Sequence, residues 1–103
     1  MNALVVHNLE KIAELCRKHG VKRLEVFGSA ARDDFDPARS DVDFMVEFYP
    51  YEFEGFGDKY FVLRRELEGL LGRHVDLVEE GCVVNPIVLA SIERSKVPVY
   101  AAA

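Results

Sequence analysis

One stretch constrains this chain more than any other. Val26-Phe27-Gly28-Ser29 ends a predicted strand, and a polar loop then leads to Asp41-Val42-Asp43-Phe44 at the start of the next one. Glycine lets a backbone come close to a phosphate without a side-chain clash. A serine at the head of a helical turn offers a hydroxyl, and the free N–H groups of that turn point toward an anion. Side chains alternate along a strand, so Asp41 and Asp43 project to one side with Cα atoms roughly 6–7 Å apart. Two ionised carboxylates side by side repel unless a cation neutralises them, and Mg²⁺ suits a pair that shares it with substrate phosphates. A Gly-Ser pair alone is a common strand exit, and Asp-x-Asp alone a common solvated edge. Together they point to nucleotidyl transfer.

The surrounding sequence predicts the elements that frame this layout. Leu4, Val5, Leu9, Ile12 and Cys16 recur at helical spacing, which predicts one amphipathic helix over 3–19 that stops at Gly20. Residues 21–27 alternate as a strand, and Ala30-Ala31-Arg32 forms a helical turn after the Gly-Ser pair. The loop 33–40 is polar, with Pro37 inside it. In strand 41–48 the apolar set is Val42, Phe44, Val46 and Phe48, with Asp41, Asp43, Met45 and Glu47 on the opposite face. An aromatic connection over 49–57, carrying Tyr49, Tyr51, Phe53 and Phe56, precedes a helix over about 58–71 that ends at Gly72. His74-Val75-Asp76-Leu77-Val78 reads as a third strand. Asn85-Pro86 is a cap and first-turn pair for a helix to residue 95, and residues 97–100 are extended. This order predicts an α+β fold, a small mixed sheet with helices packed on one face, as a single domain over 1–100 with 101–103 as a tail.

Asp76 lies between Val75 and Leu77, so it faces away from the core. If its strand neighbours the second strand, it reaches the Asp41–Asp43 site as a further metal ligand or as the base that accepts a hydroxyl proton.

Composition narrows the function classes. Among 103 residues, 18 are acidic and 13 basic, a net charge of −5, which is opposite to the balance of an electrostatic nucleic-acid binder. No apolar run reaches the ~18 residues of a membrane span. No basic segment leads into a continuous apolar one, so the expected location is the cytoplasm. Cys16 and Cys82 match no zinc spacing and read as small apolar side chains. His7, His19 and His74 show no pattern for metal binding or nucleophilic catalysis. Asp33, Asp34 and Asp36 read as solvated, whereas Arg32 and Arg39 are candidates for charge-assisted phosphate contacts.

Taken together, these segments resemble the nucleotidyltransferase superfamily related to DNA polymerase β. The resemblance is closest to the minimal nucleotidyltransferases, small antitoxins paired with HEPN-domain RNase toxins. It rests on Val26–Arg32, Ser40–Val46, Leu70–Val78, and Asn85-Pro86 with its helix and Tyr100. It implies a polymerase β-like fold with Gly28, Ser29, Ser40 and Arg32 at the triphosphate of ATP. It also implies Asp41, Asp43 and Asp76 as the catalytic, Mg²⁺-binding carboxylates. The implied reaction moves AMP from ATP to a tyrosine of the cognate HEPN toxin, silencing it. Two other readings stand beside it: neutralisation of the toxin by binding alone, and nucleotidyl transfer to a small, antibiotic-type molecule. Eleven residues separate Ser29 from Asp41, one more than the family usually has, and the helix after Pro86 lacks an early arginine.

Overall fold

The structure, a computed structural model, describes residues 1–32, 41–50 and 56–102. Its elements run α1 (Ala3–His7), α2 (Leu9–Lys18), β1 (Val21–Phe27), a 3-10 turn (Gly28–Ala30), β2 (Val42–Phe48), α3 (Phe56–Leu71), β3 (Val75–Glu79), α4 (Pro86–Ser95) and β4 (Val97–Ala101). The strands form one mixed sheet in the order β3-β2-β1-β4. β1 is antiparallel to both β2 and β4, and β2 is parallel to β3. The parallel pair needs a crossover, which α3 supplies.

The core lies between the sheet and α1, α2 and α3. Val5, Ile12 and Cys16 from the first two helices and Leu63, Leu67 and Leu71 from α3 meet Leu24, Val26, Val42, Phe44, Val46, Val75 and Leu77 of the sheet. Full burial of a side chain such as Phe44 or Leu63 stabilises the fold by roughly 1.5–3 kcal/mol. Period-2 alternation sends the neighbours of these strand residues to the other face, and that is where Asp43 and Asp76 lie.

Three features depart from the sequence expectation. The single helix over 3–19 is two helices broken at Asn8. There the side-chain amide donates to Leu4 O (2.8 Å) and the backbone N–H to Val5 O (3.1 Å), so a short polar side chain competes with the helical ladder. Met45 sits on the face of the aspartates yet is only 2% exposed, beside the buried Glu25 that it pairs with across the strands. Arg23 Nε (3.3 Å) and Lys96 Nζ (3.6 Å) approach the Glu25 carboxylate, so an ion cluster covers this part of the sheet. Finally, β4 extends past residue 100: Ala101 pairs with Arg23, and the Ala102 N–H donates to Lys22 O at 2.9 Å.

α4 is the least packed element. Asn85 caps it, its Oδ1 accepting from the N–H groups of Ile87 (2.9 Å) and Val88 (3.3 Å). Of its side chains only Ile92 is buried, while Ile87, Val88, Leu89 and the preceding Val84 are exposed.

Candidate active site

The site is built at the end of β1 and the start of β2. Gly28 leaves β1 with φ +68, a left-handed conformation natural to glycine, and opens the 3-10 turn. The Ala31 and Arg32 N–H groups both donate back to Gly28 O (3.1 and 3.2 Å). The Asn2 N–H ties the turn to the N-terminal segment through Ala30 O at 2.8 Å. Gly28 is required for a second reason as well. A Cβ at this position would lie 2.6 Å from Asp43 Oδ2, so the carboxylate occupies the space that a side chain would take.

Register brings the acids together. Asp43 pairs with Phe27 on one side and directly with Asp76 on the other, because β2 and β3 run parallel and in step from Val42–Val75 onward. Asp41 precedes Val42 at the same corner, and Asp41, His74 and Asp76 each offer one ligand atom within 4.8 Å of the others. Asp43 is the most enclosed of the three carboxylates. Its carboxyl is pushed up from 3.8 to about 6, first by burial, then by hydrogen bonding with Asp76, and then by the negative charges of Asp76 and Asp41. That crowding fits a divalent cation, since hard oxygen donors held at one point are what such an ion binds and what like charges alone disfavour.

The residues named from the sequence are thus placed as follows. Gly28 and Ser29 lie in the 3-10 turn, Arg32 is exposed just after it, and Asp41, Asp43 and Asp76 converge. Ser40 and Arg39, with the loop 33–40, lie outside the described residues, as do the side chains of Tyr51, Phe53 and Phe56.

Sequence reasoning passed over three residues that join the site. The Ser95 hydroxyl, at the end of α4, accepts the Gly28 N–H at 3.2 Å, linking that helix to the turn. The histidine without an assigned pattern, His74, is in fact a neighbour of the acids, with Nδ1 3.3 Å from Asp41 Oδ2 and 3.7 Å from Asp76 Oδ1. Behind it, Arg64 of α3 donates through Nε to Val75 O (3.1 Å) and approaches His74 Nε2 with Nη2 (3.1 Å). The signal was available: the strand read over 74–78 puts His74 and Asp76 at i and i+2 on one face, although β3 itself begins at Val75.

The model of the nucleotidyltransferase domain family matches residues 9–99. A Methanocaldococcus jannaschii relative described as a "putative protein adenylyltransferase" is 38% identical over 94 residues, spanning 84% of this chain and 92% of its own. Another of the same description and organism is 35% identical over 95 residues, with the same coverage. Among solved structures, one described as a "putative minimal nucleotidyltransferase" superposes with a TM-score of 0.74 at 32% identity, covering 95% of this chain and 96% of that one. A toxin–antitoxin structure with AMP-PNP shares the fold, with a TM-score of 0.71 at 20% identity over 92% of this chain and 74% of that one. The chain therefore belongs to the nucleotidyltransferase family in its minimal, polymerase β-like form.

Proposed function

We propose that this chain is a cytoplasmic, Mg²⁺-dependent protein adenylyltransferase that moves AMP from ATP to a tyrosine of a cognate HEPN-domain toxin, and so acts as its antitoxin. The observation that carries the reading is the convergence of Asp41, Asp43 and Asp76 beside the Gly28-Ser29 turn, with Asp43 seated where a Cβ of residue 28 would be. Asp41, Asp43 and Asp76 would hold Mg²⁺, which supplies neutralisation of phosphate charge and of the charge that develops on the leaving group. Gly28 and Ser29 line the approach of the triphosphate, and Arg32, with Ser40 and Arg39, adds donors to its oxygens. The acceptor tyrosine oxygen attacks the α-phosphorus and forms the new P–O bond. The bond from that phosphorus to the β-phosphate bridge breaks, and pyrophosphate leaves. Asp76 takes the hydroxyl proton.

The protein acceptor draws support from the relatives described as protein adenylyltransferases and from the toxin–antitoxin structures that share the fold. It also suits the outer face of α4, where Val84, Ile87, Val88 and Leu89 are exposed on the helix whose Ser95 touches Gly28. A toxin seated on that face would rest on the helix whose last residue, Ser95, touches the Gly28 turn.

The test uses ATP labelled at the α-phosphate, Mg²⁺, and the cognate HEPN-domain toxin. Label should pass to that protein with the native chain and not with the Asp41→Ala, Asp43→Ala double variant. Undiminished labelling by the double variant would refute the reading. A double variant that leaves the toxin unlabelled yet still silences it would establish neutralisation by binding instead.

A further inference from the structure

His74 is a group that the proposed chemistry does not use, although it touches two of its carboxylates. Its Nδ1 and one oxygen each from Asp41 and Asp76 lie close enough together for all three to ligate one ion. The other ring nitrogen decides against that role. An arginine guanidinium only donates hydrogen bonds, and a neutral imidazole has a single lone pair. Arg64 Nη2 lies 3.1 Å from His74 Nε2, and Arg64 is itself fixed by donating to Val75 O, the first residue of β3. Nε2 must therefore carry the lone pair, and the hydrogen sits on Nδ1, facing the carboxylates.

We infer that His74 is a positioning residue for the metal centre: Arg64 selects the ring form whose Nδ1–H faces Asp41 Oδ2, 3.3 Å away, and steadies that carboxylate, with Asp76 Oδ1 just beyond at 3.7 Å. This inference rests on the proposed function, because it gives those carboxylates a cation to hold. A donor behind a ligating carboxylate fixes its orientation, and losing such a partner lowers metal affinity by about 10–100-fold. His74 is half-exposed, so the lower end of that range applies. Asparagine places a side-chain N–H near the position of Nδ1 and has no ring nitrogen to ligate a metal, so it separates donor from ligand.

The experiment is Mn²⁺ titration of the full chain by electron paramagnetic resonance, with pulsed measurement of nitrogen coupled to the bound ion. His74→Ala should weaken Mn²⁺ about tenfold, and His74→Asn should restore affinity to within about threefold. The bound ion should show no directly coordinated nitrogen. Nitrogen-15 shifts of the metal-free protein should show Nε2 without hydrogen in the native chain, a preference lost in Arg64→Gln. A directly coordinated nitrogen that vanishes in His74→Ala, a native ring with its hydrogen on Nε2, or unchanged affinity in His74→Ala would each overturn the inference and leave the carboxylate site standing. Undiminished Mn²⁺ binding by Asp43→Asn would instead remove the carboxylate centre itself.

Discussion

Gly28→Ala separates the two demands placed on that glycine. Alanine at φ +68 costs about 1–2 kcal/mol of backbone strain. Gly72, at φ +66 with no heavy atom within 4 Å of its missing Cβ, carries the same strain and nothing else, so Gly72→Ala is the matched control. In a domain of this size, a loss of 1 kcal/mol lowers Tm by about 4–8 °C. At residue 28 the new Cβ also meets Asp43 Oδ2 at 2.6 Å, and the carboxylate must retreat by about 0.8 Å to reach ordinary contact. Misplacing a reacting or metal-holding group by about 1 Å costs on the order of 100-fold in rate. Gly72→Ala should therefore lower Tm and leave Mn²⁺ affinity and AMP transfer unchanged. Gly28→Ala should lower Tm at least as far, weaken Mn²⁺ and reduce transfer about 100-fold. A Gly28→Ala protein with native metal affinity and native transfer would refute the close-fit argument.

Three further outcomes follow from the structure. Burial, then the hydrogen bond and charge of Asp76, push the Asp43 carboxyl up from 3.8 to about 6, so folding favours its protonated form. Its contribution to metal-free stability is fully present below about pH 4 and is lost as pH rises through about 6. Asp43→Asn should abolish that segment of the stability–pH curve, and native Mn²⁺ affinity should climb over the same window; a native-minus-variant difference that is flat in pH would contradict this. Cys82 is exposed, whereas the fully buried Cys16 thiol is pushed up to about 12 by burial, so a thiol reagent should label one cysteine in the folded chain and the second only on unfolding. Asn85→Ala should cost about 1 kcal/mol by removing the α4 cap, with Asn85→Asp largely restoring it, as thermal denaturation would report.

The parts of the fold that could be read in the sequence are those where one local rule acts without a competitor. The alternation Val42-Phe44-Val46 against Asp41 and Asp43 fixed which face is buried, and the same rule turned Asp76 outward in β3. What brings Asp43 and Asp76 side by side is the parallel register of β2 and β3, a long-range pairing that alternation within one strand does not specify. Asn8 was the visible exception in a helical pattern, and its side chain ends α1 there. Met45 was placed on the aspartate face by its period, but it is buried there, paired across the strands with the buried Glu25, whose carboxylate Arg23 and Lys96 approach. His74 reaches the acids directly, but the Arg64 that contacts its other ring nitrogen is ten residues away and on another element. No local spacing encodes that contact.

The most direct test of the account is the intact mass of the cognate helical protein after incubation with this chain, ATP and Mg²⁺. The account predicts a gain in whole AMP units that maps to a tyrosine and disappears with Asp43→Asn. An unchanged mass while the two proteins form a stable complex, or a gain that persists with Asp43→Asn, would contradict it.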